Sequence, residues 1–143
     1  MITPDRTAVW ALWLLSRLTL VVLLTSGESV SISDLNYYEM SLDELGRDGA
    51  GGTLAEYPVP AFLVLAAPYG LLSLAGLTST YPVVVLALLL AVDAGFLAQV
   101  RRAGRAAPVW AWLAATPALG AISYARFDLL PGVLVALALL HLV

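Results

Sequence analysis

Long apolar runs dominate the chain, and one polar interval interrupts them. "AVWALWLLSRLTLVVLLTS", from Ala8 to Ser26, reads as a first spanning helix, since crossing the hydrocarbon core of a bilayer takes about 20 mostly apolar residues. Four further apolar segments follow. "PVPAFLVLAAPYGLLSLAGL" (58–77) has Pro58 and Pro60 at its start, where a helix tolerates proline, and Pro68 inside, where a kink is expected. "YPVVVLALLLAVDAGFLAQV" (81–100) carries Asp93. "VWAWLAATPALGAISY" (109–124) is short and expected to break at Pro117, and "RFDLLPGVLVALALLHLV" (126–143) ends the chain. The pattern predicts an all-α fold: one domain, 1–143, of about five transmembrane helices.

Residues 27–57 break this pattern. Gly49, Gly51 and Gly52 predict a flexible stretch. Tyr38, Leu42 and Leu45 fall on one helical face, and Ser41-x-x-Glu44 has capping-box spacing. The expectation is a long extracytoplasmic loop carrying a short amphipathic helix at the membrane surface.

Composition strengthens the membrane reading. Of 143 residues, 61% are hydrophobic and 12% charged, about half the charge of a soluble domain, and mean hydropathy is +0.91. A soluble fold of this size could not keep so much apolar surface from water. A cleavable signal peptide competes for the first run, but Arg17 within it and the later apolar segments argue against that. Cysteine is absent, which excludes disulfides, zinc–thiolate sites and cysteine nucleophiles. All seven basic residues are arginine, and the Ala, Leu, Val and Gly bias points to a GC-rich bacterial source.

Charge is unevenly placed. Residues 27–57 hold seven acids against Arg47, a net of −6, within a chain whose total is −3. No basic surface exists to neutralise phosphates, so a nucleic-acid partner is excluded. Orientation is in conflict. The positive-inside rule places "RRAGR" (101–105) in the cytoplasm and leaves the acidic segment outside. Strict alternation from a cytoplasmic N-terminus puts both outside. A re-entrant segment resolves the conflict, and the proline-broken 58–77 is the best candidate.

Two charges lie inside apolar runs. A charge at mid-span costs at least about 2.5 kcal/mol on insertion scales, so Arg17 needs a partner or a cavity. Asp93 is the best partner, either as a structural ion pair or as part of an ion path. Trp10, Trp13, Trp110 and Trp112 read as belt or packing residues, and His141 is assigned nothing.

"SDLNYYEMSLDELGRDGAGGTLAEYPVPAF" resembles the first extracytoplasmic loop of glycosyltransferase family 87 (DUF2029), bacterial GT-C-type proteins of the polyprenyl-phosphate mannosyltransferase class. The resemblance rests on Asp34, Tyr37 and Tyr38, the glycines from Gly46 to Gly52, and Glu56-Tyr57-Pro58-Val59-Pro60. "ARFDLLPGVLVALALL", with Arg126, Asp128 and Pro131, looks like a recurrent segment of the same proteins. Tyr-Pro-Val-Pro replaces the commoner Tyr-Pro-Pro. The family's members are far longer, so the expectation is an N-terminal part in an integral protein of the bacterial inner membrane.

The resemblance implies transfer of a hexose, usually mannose, from a polyprenyl-phosphate donor to a lipid or glycan acceptor at the outer face, among membrane lipids. It makes Asp34 the catalytic base, against a reading as helix N-cap. Tyr37 and Tyr38 line the sugar pocket or form an aromatic belt. Glu56 and Tyr57 close the pocket or merely start a helix. Arg126 binds donor phosphate with Asp128 orienting it, or the two anchor a helix start. Glu39, Asp43, Glu44 and Asp48 read as a solvated face, and a divalent cation held by two of them is the only cofactor the pattern allows. The alternatives are an inactive remnant, a small non-enzymatic membrane protein, or a transporter piece using Arg17 and Asp93.

Overall fold

Asp5 opens the first helix by accepting a hydrogen bond from the Ala8 N–H through Oδ2 at 3.0 Å, as an N-cap acid does. The structure is a computed structural model describing residues 5–26, 30–48 and 57–142; the side chains of 30–33, 46 and 48 lie outside that description, as do Gly49, Gly51, Gly52 and Glu56. Among the described residues every regular element is helical. These are α1 (Arg6–Ser26), α2 (Val30–Asp48), α3 (Val59–Leu74), α4 (Tyr81–Arg102), α5 (Ala106–Leu119), α6 (Ile122–Ala125) and α7 (Leu129–Leu142), with a 3-10 turn at Thr78–Thr80 before α4.

Among the described residues two helices are long and apolar enough to cross a membrane: α1, and α4 with its leading 3-10 turn. They account for two of the about five spans expected. α3, α5 and α7 are apolar but have 16, 14 and 14 residues. At 1.5 Å per residue, 14 residues reach about 21 Å, short of a hydrocarbon core of about 30 Å.

α1 and α4 run antiparallel, and two buried clusters mark their ends. Leu20 and Leu24 near the end of α1 pack with Tyr81, Val85 and Leu89 from the start of α4. Val9 at the start of α1 packs with Phe96, Leu97 and Val100 near the end of α4. α2 joins the first cluster through Leu35, Tyr38 and Leu42, and α5 joins the second through Val109 and Leu113. The basic turn after α4 thus lies at the opposite end of the bundle from acidic α2. Leu14, Leu15, Leu18 and Leu23 on α1 are all more than half exposed. In water such a face would be an unfilled interface; against lipid tails it needs no cover.

Both ends of α3 lie against α2. Tyr57, just before it, meets Tyr38 of α2 edge-on with centroids 5.7 Å apart. Near its far end, the Tyr69 hydroxyl donates to Asp43 Oδ1 of α2 at 3.1 Å. A Schellman closure, Leu77 N–H to Leu72 O and Gly76 N–H to Ser73 O, then stops the helix with Gly76 at φ 69°. α4 can therefore start beside α2 and descend, which is how the acidic helix and the basic turn come to opposite ends.

Three local expectations are corrected. The surface helix is not short: α2 spans 19 residues as one piece. Its start at Val30 puts Asp34 and Ser41 inside the helix, so neither Asp34 as cap nor Ser41-x-x-Glu44 as capping box holds. The stripe of Tyr38, Leu42 and Leu45 does face the core, which is what extends the helix beyond its polar ends. The fourth segment breaks at Gly120, with φ 78° and ψ −170°, not at Pro117, which remains helical. Proline removes one N–H near a helix end where few bonds remain to be lost, whereas positive φ stops the helix outright.

Candidate functional site

α2 and the segment between α6 and α7 build the site. Asp34 lies one turn before buried Tyr38 and so emerges at the edge of the bundle. Arg126 follows α6 in extended backbone, φ −114° and ψ 146°. Its Nε donates to Asp34 Oδ2 at 3.0 Å, joining residues 92 apart in sequence. The two side chains are 54% and 32% exposed, so the pair stands at a mouth rather than in the core. The hydrogen bond and charge of Asp34 raise the Arg126 guanidinium above its ordinary value. Arg126 makes this bond with Asp34, and Asp128, two residues on, acts on the same guanidinium through its charge.

Aromatic rings pack behind the pair. The Tyr38 and Tyr57 hydroxyls are 3.0 Å apart, and Tyr57 meets Phe127 edge-on at 6.5 Å between centroids. Tyr37 is 44% exposed, its ring 6.1 Å from that of Tyr38. Burial, and then the hydrogen bond with Tyr57, push the Tyr38 phenol well above its ordinary value.

Two grooves flank the start of α7. One, of about 360 Å³, is lined by Trp112, Leu119, Ile122, Leu129 and Gly132, with Ser123, Arg126 and Asp128 as its polar groups. The other, of about 350 Å³, runs between α3 and α7 along Pro58, Pro60, Ala61, Val64, Leu130, Pro131 and Leu134, with Tyr57, Phe127 and Asp128 at its head. Both fall within the size range of small-ligand sites.

Below the mouth lies a buried polar hub on Asp93 of α4. Arg17 of α1 donates to it from Nε at 2.9 Å and from Nη2 at 3.4 Å. Trp13 donates at 2.7 Å, Trp112 of α5 at 2.5 Å and Tyr124 of α6 at 2.6 Å. Asp93 is 0% and Arg17 1% exposed. Arg17 Nη1 also reaches the Leu113 carbonyl at 3.5 Å. That carbonyl is the one Pro117, four residues on, cannot serve with an N–H. Every buried side-chain nitrogen and oxygen described has a partner. This sealed, fully partnered carboxylate forms a buried ion pair that ties the helices together.

Of the residues expected at the site, Asp34, Tyr38, Tyr57, Arg126 and Asp128 come together, and Tyr37 borders them. Glu56 lies outside the described residues. Sequence reasoning missed Phe127, and it missed Trp13, Trp112 and Tyr124 as hydrogen-bond donors to Asp93. The signal for the tryptophans was present: an indole N–H inside an apolar run needs an acceptor, and Asp93 was the nearest candidate by elimination. Asp43 pairs with Arg47 at 2.7 Å on the outer face of α2, as expected of a solvated helix face. Among the described residues no three His, Asp or Glu side chains gather to hold a metal ion. Comparison with protein-family models, with curated proteins and with solved structures found no match for this chain.

Proposed function

We propose that the chain is a GT-C-type membrane glycosyltransferase, transferring a hexose, with mannose first among candidates, from a polyprenyl-phosphate donor to a lipid or glycan acceptor. In this reading it sits in the bacterial cell membrane with α2 along the outer face, α3 re-entrant, and the basic turn inside, as the positive-inside rule asks. The observation that carries the reading is the meeting of Asp34 and Arg126 at the head of an apolar groove. A donor of this class has the same plan: an anionic head on a long apolar tail.

The chemistry follows from the groups present. Arg126 uses Nε for Asp34, and its two terminal amino groups have no hydrogen bond among the described residues, leaving a fork for phosphate oxygens. Asp34 Oδ1 is likewise without a bond among the described residues. It takes the proton of the acceptor hydroxyl as that oxygen attacks the anomeric carbon. The bond from anomeric carbon to phosphate oxygen breaks, and the lipid phosphate leaves held by Arg126. Tyr57 and Tyr38 offer ring faces and hydroxyls to the sugar.

A second reading is a non-enzymatic membrane protein in which Asp34–Arg126 merely straps α2 to the bundle. It is favoured by the fact that Asp34 Oδ2 already has a partner. Membranes carrying the chain, supplied with labelled polyprenyl-phosphate mannose, separate the two. Transfer that disappears in Asp34→Asn at unchanged membrane level supports the enzyme; no transfer, or transfer retained in Asp34→Asn, removes this assignment.

A further inference from the structure

The two grooves differ in one respect that sorts ligands. Both have Asp128 on their rim, but only the first also has Arg126. Its mouth therefore pairs one cation with one anion, and it accepts a phosphate through Arg126. The second groove has Asp128 as its only charge, with Tyr57 also among its lining residues. The Asp128 carboxylate makes no hydrogen bond or ion pair among the described residues, although its charge also acts on Arg126 across the rim; a carboxylate at this head disfavours a phosphate and accepts a hydrogen bond from a hydroxyl. Below this head the walls are apolar: Pro60 and Val64 on α3 face Pro131 and Leu134 on α7.

We infer that the groove between α3 and α7 is a second lipid site, and that it takes an amphiphile with an uncharged hydroxyl head, selected by Asp128. The inference rests on the glycosyltransferase reading for its biological sense: this is where a lipid acceptor waits while the donor occupies the Arg126 groove. The binding itself does not depend on turnover. Asp128 is then a specificity-determining residue, keeping phosphate-headed lipid out of the acceptor side.

The test is binding of two short probes, farnesol and farnesyl phosphate, to the purified full chain in neutral-lipid nanodiscs. The two probes should bind together without competing, one of each per chain. Val64→Trp, which fills the second groove from a half-exposed position, should abolish farnesol binding and leave farnesyl phosphate within about threefold. Gly132→Leu should do the reverse; a Cβ at Gly132 meets no atom within 4 Å, and retained farnesol binding shows that the variant is folded. Asp128→Asn should admit a second farnesyl phosphate and weaken farnesol about tenfold, the equivalent of about 1.4 kcal/mol. Mutual competition between the probes, farnesol binding untouched by Val64→Trp, or unchanged head-group preference in Asp128→Asn would each overturn the inference. Absent sugar transfer alongside normal two-probe binding would remove the enzyme reading and leave this site standing.

Discussion

Arg17 and Asp93 meet at 2.9 Å with neither side chain open to solvent, and the aspartate is shared by Trp13, Trp112 and Tyr124. Four helices therefore converge on one carboxylate. In lipid the hydrophobic effect does not drive helices together, so this hub and the close packing around Leu97 and Val85 hold the bundle.

Removing one partner of such a pair strands the other, at a cost of about 3–5 kcal/mol. Arg17→Met and Asp93→Asn should each lower the membrane level and the unfolding midpoint in detergent. The charge swap, Arg17→Asp with Asp93→Arg, should recover only part of the loss, because an arginine at 93 cannot accept from two indoles and a phenol. Full recovery would show that the three aromatic donors contribute nothing.

The path of α3 makes a topological prediction. A periplasm-active reporter fused at Gly51 should read outside, and one at Gly104 inside. An outside signal at Gly104 would mean that α3 crosses the membrane and that the basic turn breaks the charge rule.

Tyr38 makes a prediction about alkali. Its folded-state pKa is raised, through burial and through the bond to Tyr57, so the folded state holds the proton more tightly. That stabilisation is complete below the unfolded value of about 10 and is lost as pH rises through the folded value. Stability should be flat to about pH 9.5 and fall above pH 10. Tyr38→Phe should lose about 1 kcal/mol at pH 7 with the hydroxyl pair and show a shallower alkaline fall. An identical slope in the variant would assign the alkaline loss to other groups.

The Arg17–Asp93 pair was legible in the sequence because a charge within an apolar run has few ways to survive. The order of the apolar segments and the inward stripe of Tyr38, Leu42 and Leu45 were legible for a similar reason: period and burial leave little choice. Asp34 meeting Arg126 was not, since no local pattern links residues 92 apart. The end of α5 was misread because Pro117 is the louder signal in sequence, while the backbone turns at Gly120. The single long α2 was hidden by its polar residues. Its helix is set by the tertiary contacts of Leu35, Tyr38 and Leu42, which outweigh the local capping pattern at Ser41.

Tyr124 hangs from the deepest carboxylate in the bundle, and Arg126 follows two residues later. Two residues of extended chain span no more than about 7 Å. The backbone that carries the cation at the mouth is thus on a short leash fixed to the interior. Loosening Asp93 would blur where the Arg126 charge sits at the surface, so one buried bond serves as the ruler against which the outer ion pair is set.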